Sequence, residues 1–132
     1  RAMKRRYTAA GFLRRVERIR GALDRPAFTT DVIVGFPGET DADFEATCQV
    51  VREVGFCKVH VFPYSPRAGT SAAQLPEAVP SAKVEARRLQ LGEIERAAGR
   101  AYRNELIGQS LDVLVEGADP RRPEHAQGTS CR

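Results

Sequence analysis

Residues 29–39 read Thr-Thr-Asp-Val-Ile-Val-Gly-Phe-Pro-Gly-Glu, and this stretch decides how the rest of the chain is organised. The β-branched run Thr29–Val34 is too short for a helix, and Gly35, Pro37 and Gly38 interrupt it sharply. We therefore predict a buried strand that enters a tight loop. In parallel α/β proteins, ligands bind in such loops at the carboxyl ends of the strands.

The residues after the loop predict a helix. Thr40 can cap it, Asp43 occupies the reciprocal position of a capping box, and Asp41 adds negative charge at the positive end of the helix dipole. The loop lacks the lysine of a P-loop and the three-glycine spacing of a dinucleotide site, and a purely geometric role for its Gly and Pro residues stays open. Asp31 and Glu39 stand out, because a carboxylate in an apolar strand needs a partner and Glu39 lies at the ligand-facing end.

The composition is that of an ordinary soluble domain. The chain has 132 residues, of which 42% are hydrophobic and 29% charged, and no apolar run is long enough to span a membrane. Its three cysteines, Cys48, Cys57 and Cys131, are too few and too irregular for a disulfide framework, so we expect a reducing compartment, the cytoplasm. Since the sequence begins at Arg1 and closes in a polar stretch, we expect it to be part of a longer polypeptide.

Basic residues are concentrated at the amino terminus. Residues 1–20 hold eight Lys or Arg against the single acid Glu17, whereas residues 21–132 hold thirteen against sixteen. Such a patch suits a phosphate backbone, although a solvated helix face would explain the charge equally well. The candidates for RNA contacts are Lys4, Arg5, Arg6, Arg14 and Arg15.

Helices and strands alternate along the rest of the chain, and a right-handed crossover makes the first two strands parallel neighbours. Cys48 is predicted to be a core residue and His60 a structural one. The predicted elements after the first strand are a helix at Asp41–Val54, a strand at Cys57–Phe62, a long helix from Ser81 to about Leu106 and a strand at Leu111–Glu116. A first helix precedes them all, from Thr8 to about Asp24. For residues 117–132 the pattern predicts no partner strand.

Two loops are expected to share one rim of the sheet. Tyr64, Ser65 and Arg67 follow the second strand, and residues 35–39 follow the first. Because the carboxyl ends of parallel strands meet at one edge, these loops are candidates for a common ligand site.

Three segments carry a resemblance to a known family: Met-Lys-Arg-Arg-Tyr-Thr at 3–8, Thr-Asp-Val-Ile-Val-Gly-Phe-Pro-Gly-Glu-Thr at 30–40 and Phe-Pro-Tyr-Ser-Pro-Arg-Ala-Gly-Thr-Ser-Ala-Ala at 62–73. In this order and spacing they resemble the radical S-adenosylmethionine (SAM) tRNA methylthiotransferases. The resemblance implies an α/β fold that is the second half of a radical SAM partial (β/α) barrel, with parallel strands, over residues 1–80. A long connecting helix would follow over 81–107, and 108–132 would begin a truncated TRAM β-barrel, an RNA-binding domain.

The resemblance also implies the chemistry, which is the addition of a methylthio group to C2 of a modified adenosine at position 37 of tRNA. The implied cofactors are SAM and two [4Fe-4S] clusters. The clusters would be bound by an amino-terminal part of the full-length enzyme, because this chain has no Cys-x-x-x-Cys-x-x-Cys motif. We therefore expect the 132 residues alone to be inactive, and we assign them no catalytic or metal-binding residue.

Carried over onto this sequence, the SAM-binding residues are Asp31, Ile33, Gly35, Glu39, Tyr64 and Arg67. Glycine lets a ligand approach the backbone closely. We accordingly expect Gly35→Val to weaken SAM binding while leaving the fold largely intact.

The amino-acid sequence of the second strand and its loop favours one branch of the family. Val59-His-Val-Phe-Pro-Tyr64 ahead of Ser65-Pro-Arg67 resembles the threonylcarbamoyladenosine-type enzymes, and the isopentenyladenosine-type enzymes are the alternative. A third relative, which acts on an aspartate of a ribosomal protein, usually has an acid where Arg67 stands. A different class also stays open: a nucleic-acid-binding module without catalysis, built from the basic amino terminus and the carboxyl-terminal strand.

Overall fold

A computed structural model describes residues 6–130 of the chain. The described part contains three α-helices and four strands, with a short 3₁₀ turn at Ser71–Gln74. The elements in chain order are α1 (Ala9–Ala22), β1 (Thr29–Val34), α2 (Asp41–Val54), β2 (Lys58–Pro63), α3 (Ser81–Asn104), β3 (Val113–Asp119) and β4 (Arg122–Ser130). Over residues 6–130, no helix combines the length and the hydrophobicity needed to cross a bilayer.

The first two strands form a parallel pair, as predicted. Their register runs from Thr29 opposite Lys58 to Val34 opposite Pro63. Because side chains alternate along a strand, one face presents valines to the core while the other presents exposed residues, Ile33 and Phe62 among them. Within residues 6–130, the helices thus cover one face of this pair and leave the other exposed, and the predicted burial of the first strand holds for the covered face alone.

Local capping explains where α2 begins and ends. Thr40 Oγ1 accepts a hydrogen bond from the Asp43 amide at 3.1 Å, and Asp43 Oδ2 accepts one from the Thr40 amide at 3.0 Å, which confirms the predicted capping box. Gly55 ends the helix with φ +61°, in the left-handed region that glycine adopts readily. The prediction that Cys48 is a core residue is confirmed, since it is fully buried, and Phe44 of the same helix is buried with it.

The long helix α3 packs against both strands of the parallel pair and against α2, while α1 packs against α2. Leu91 of α3 is fully buried and belongs to the hydrophobic core. Further along α3, a Cβ added at Gly99 would lie only 2.9 Å from the carbonyl oxygen of Cys57. Glycine at this position therefore lets the helix approach the start of β2.

The carboxyl-terminal region differs from the sequence prediction. The strand predicted at Leu111–Glu116 is present, with bounds at Val113–Asp119. The prediction that residues 117–132 hold no partner strand is wrong, because β3 pairs with β4 as an antiparallel hairpin. Asp119 Oδ1 accepts hydrogen bonds from the amides of Arg121 at 2.7 Å and Arg122 at 3.3 Å, which stabilises the connecting turn. The β4 sequence has no apolar alternation, so periodicity could not reveal a strand that main-chain hydrogen bonds create.

Candidate functional site

The loops at the carboxyl ends of β1 and β2 lie side by side, which confirms the shared rim. The Tyr64 amide donates a hydrogen bond to the carbonyl oxygen of Val34 at 2.8 Å. The rings of Phe36 and Tyr64 meet edge to face, with centroids 5.3 Å apart. Residues 35–39 and 64–70 therefore form one edge of a single surface.

A cleft of about 580 Å³ opens at this rim. Four of the six predicted SAM-binding residues line it, namely Asp31, Ile33, Tyr64 and Arg67. Asp31 and Ile33 reach the cleft from the uncovered face of β1, because residues two apart on a strand point to the same side. The volume falls in the usual range for small-molecule sites, about 300–1,000 Å³.

Glu39 occupies a different place from these four. Its carboxylate is 11% exposed, and Oε2 accepts a hydrogen bond from the Gly35 amide at 2.8 Å and another from Arg87 at 2.6 Å. The side chain thus folds back on its own loop and closes it. A contact between Glu39 and SAM stays a prediction, but the protein already supplies partners for this oxygen.

Arg87 of α3 is the residue that sequence reasoning missed. Its side chain is 3% exposed and donates to Glu39 Oε2, to the Glu39 carbonyl oxygen at 3.2 Å and 3.3 Å, and to Asp41 Oδ1 at 2.8 Å. The guanidinium carbon also lies 5.3 Å from the centre of the Phe44 ring. A signal existed: Arg87 lies between Val84 and Leu91 on the apolar face of α3, where a cation needs a buried counter-charge.

Asp41 receives a second cation, since Lys83 Nζ lies 2.8 Å from its Oδ2. The hydrogen bond from Lys83, followed by that from Arg87, lowers the pKa of the Asp41 carboxyl below its ordinary value. Hydrogen bonds from Thr40 lower the pKa of Asp43 in the same way. Because the pKa of each carboxyl is lower in the folded state than in the unfolded state, these carboxylates stabilise the fold at neutral pH. That contribution disappears as the pH falls through the lowered pKa values.

Gly35 is buried and packs against helix α3. Its φ is +76°, and an added Cβ would lie 2.5 Å from Val84 Cγ2. The residue lines an adjoining cleft of about 660 Å³ together with Tyr64 and Val84. The expectation that Gly35→Val leaves the fold intact is therefore wrong, because the close approach that this glycine permits is to α3. Its contact with SAM stays a prediction.

A basic groove lies at the beginning of α1. Its lining includes Arg6, Arg14 and Arg15, which were predicted to contact RNA, and also Arg18, which was not. Arg18 lies four residues after Arg14, so the helix places both on one face. Within residues 6–130 none of these four exposed arginines forms an ion pair. The other two candidates, Lys4 and Arg5, lie outside the described residues.

The thiols in the described part of the chain are placed for packing. Burial raises the pKa of Cys48 in the core, and Cys57 Sγ donates to the carbonyl oxygen of Phe28 at 3.2 Å. Among residues 6–130, no group of three or more His, Cys, Asp or Glu side chains could hold a metal ion. These residues therefore do not fit an iron–sulfur cluster. His60 lies exposed beside Asp31 in the strand register, and its predicted structural role is untested.

Sequence comparison relates the chain to tRNA-modifying enzymes. It is 40% identical over 126 residues to a tRNA-2-methylthio-N(6)-dimethylallyladenosine synthase from Desulfitobacterium hafniense, a match that covers 96% of this chain and 28% of that protein. It is 43% identical over 114 residues to the threonylcarbamoyladenosine tRNA methylthiotransferase MtaB of Chlamydia pneumoniae, covering 86% of this chain and 27% of the relative.

A second synthase of the dimethylallyladenosine type, from Solibacter usitatus, is 42% identical over 130 residues, which is 98% of this chain and 29% of that protein. No protein-family model matches the chain. The chain thus spans somewhat more than a quarter of the length of these curated relatives. By this similarity the chain is a homologue of a segment of the tRNA methylthiotransferases.

Proposed function

We propose that this chain is part of an enzyme that adds a methylthio group to C2 of a modified adenosine at position 37 of tRNA. The observation that carries the proposal is the 40–43% identity to enzymes with such names over 86–98% of the chain. The loop residues 59–67 favour N6-threonylcarbamoyladenosine as the substrate. Dimethylallyladenosine is the alternative, since relatives of that type have nearly the same identity.

The rim cleft is the proposed SAM site, and its residues suit that cofactor. Asp31 and Arg67 offer opposite charges that can pair with the ammonium and carboxylate groups of an amino acid, and Ile33 offers an apolar wall. The Tyr64 hydroxyl is buried and has no hydrogen-bond partner among the described residues, so it can bond to a ligand. When bound, SAM would supply the methyl group and the radical chemistry of the reaction.

Nucleoside mass spectrometry tests the proposed reaction. The full-length protein that contains this chain is expressed in cells that lack tRNA methylthiolation, and the tRNA nucleosides are compared with those of cells that lack the protein. We expect threonylcarbamoyladenosine to be converted to its 2-methylthio form. A 2-methylthio-dimethylallyladenosine product would show that dimethylallyladenosine is the substrate. Unmodified tRNA would contradict the proposed function.

The basic groove is the proposed contact with the phosphates of tRNA. Its arginines are exposed and free of acidic partners in the described part of the chain, so each can release a counterion on binding. Replacing Arg6, Arg14 and Arg15 together by glutamine should flatten the log–log salt dependence of tRNA binding by up to about three units. The measurement is a filter-binding titration of the full-length protein at several salt concentrations.

The matched control is Arg88→Gln. Arg88 lies on α3, does not line the groove, and is paired with Glu85 at 2.7 Å. We expect its salt slope to equal that of the wild type. If the triple variant also keeps the wild-type slope, the groove is a solvated helix face and the RNA assignment fails.

A further inference from the structure

One buried cation links α3 to the loop at the rim of the cleft. Arg87 directs Nη1 and Nη2 at the Glu39 carboxylate, the Glu39 carbonyl oxygen and Asp41, and the face of Phe44 covers its guanidinium. Its Nε is buried and has no partner within residues 6–130. Burying a charge with one donor unused is costly. Such an arrangement is poorly explained by stability alone.

The carboxylate at the end of this link determines the shape of the loop. Glu39 Oε2 accepts hydrogen bonds from both Arg87 Nη1 and the Gly35 amide, so the carboxylate that pairs with Arg87 also joins the last residue of the loop to its first. The Glu39 amide also donates to the Phe36 carbonyl oxygen at 2.8 Å. The network therefore fixes the backbone of Phe36.

Phe36 extends the network to the ligand surface. Its ring packs edge to face against Tyr64, and Tyr64 is part of the cleft wall together with Asp31 and Arg67. A continuous series of contacts thus runs from Arg87 through Glu39 and the loop to the cleft. Loss of Arg87, at the opposite end of this series from the cleft, would leave the cleft residues present but displaced.

We propose that Arg87 is a positioning residue, which fixes the rim loop through Glu39 and so sets the affinity of the cleft for its ligand. The assignment of SAM to that cleft rests on the function proposed above. The fixing of the loop does not depend on it. The contacts that connect Arg87 to the cleft run through Glu39 and the loop backbone, so its removal should change binding at a distance.

The experiment uses the full-length protein with Arg87→Met, Arg87→Lys and the double variant Arg87→Met/Glu39→Gln. Arg88→Met is the matched control, because Arg88 is the next residue on α3 and pairs only at the surface. Two properties are measured: SAM affinity by equilibrium dialysis, and hydrogen exchange of peptides covering residues 35–40 and α2. Circular dichroism checks that each variant is folded.

We expect Arg87→Met to weaken SAM binding roughly ten- to a hundredfold, since the Glu39 carboxylate, left with the Gly35 amide but without its counter-charge, must gain water and displaces the loop. Exchange should accelerate at residues 35–40 while α2 stays protected. Arg87→Lys should fall between the wild type and Arg87→Met, because an ammonium keeps the charge but not the forked geometry. The double variant also removes the negative charge of Glu39, so it should recover part of the lost SAM affinity.

Three outcomes separate the two proposals. Unchanged exchange at residues 35–40 in a folded Arg87→Met protein would overturn the positioning role. Accelerated exchange with SAM affinity within about twofold of the Arg88→Met control would also overturn it, because the loop would then not govern the cleft. If the wild type binds no SAM but Arg87→Met accelerates exchange, the loop-fixing role is supported and the SAM assignment fails.

Discussion

Replacing Gly35 by valine is expected to destabilise the chain strongly. The residue has φ +76°, a conformation that costs an L-residue about 1–2 kcal/mol. An added Cβ would also lie 2.5 Å from Val84 Cγ2, and forcing extra atoms into a packed contact costs about 1–3 kcal/mol. Together these effects predict a loss of roughly 2–5 kcal/mol in the free energy of unfolding.

Gly69→Val is the matched control for this substitution. Gly69 lies in the other rim loop with φ +81°, but a Cβ added there would meet nothing within 4 Å. Gly69→Val should therefore lower the free energy of unfolding only by the cost of the positive φ, about 1–2 kcal/mol. Urea denaturation of both variants beside the wild type measures the difference, and equal losses would show that contact with Val84 does not matter.

Leu91→Ala is expected to have an effect of the same size from the opposite cause. Leu91 is 0% exposed and belongs to the core beneath α3. Truncating it removes apolar contacts and leaves a cavity, which costs about 2–5 kcal/mol for a buried leucine. For a chain with so small a core, such a loss should lower the urea midpoint of unfolding strongly.

Leu89→Ala provides the comparison, since Leu89 lies on the same helix and is 54% exposed. Its effect should stay within about 0.5 kcal/mol, as for most surface substitutions. The measurement is the urea midpoint followed by far-ultraviolet circular dichroism. Similar midpoints for the two alanine variants would mean that α3 is not anchored through Leu91.

Local patterns were sufficient to predict most of the α/β unit. The β-branched run at 29–34 and the residues 57–62 identified the two strands, and the crossover rule made them parallel. Thr40, Asp43 and Gly55 determined the ends of α2, because capping depends on residues within one turn. The shared rim followed from these elements without any knowledge of side-chain contacts.

Contacts between distant residues were beyond such patterns. A capping box predicts nothing about Arg87, which lies 48 residues after Glu39, and the sequence predicted Glu39 only as a ligand contact. Likewise, the glycine at position 35 suggested a close approach of a ligand to the backbone, but neither the positive φ nor the contact with Val84. β4 was missed because a two-stranded hairpin with exposed faces needs no apolar alternation.

The buried ion pair between Glu39 and Arg87 has a consequence for the order of events during synthesis. A ribosome adds roughly 5–20 residues per second, so Glu39 is made roughly 2–10 seconds before the cation that neutralises it. During that interval the nascent strand and α2 exist without a counter-ion for this carboxylate, and its solvation by water opposes closure of the loop. The rim should therefore mature late, in one step with the docking of α3, whereas the cap of α2 can form as soon as its own residues emerge.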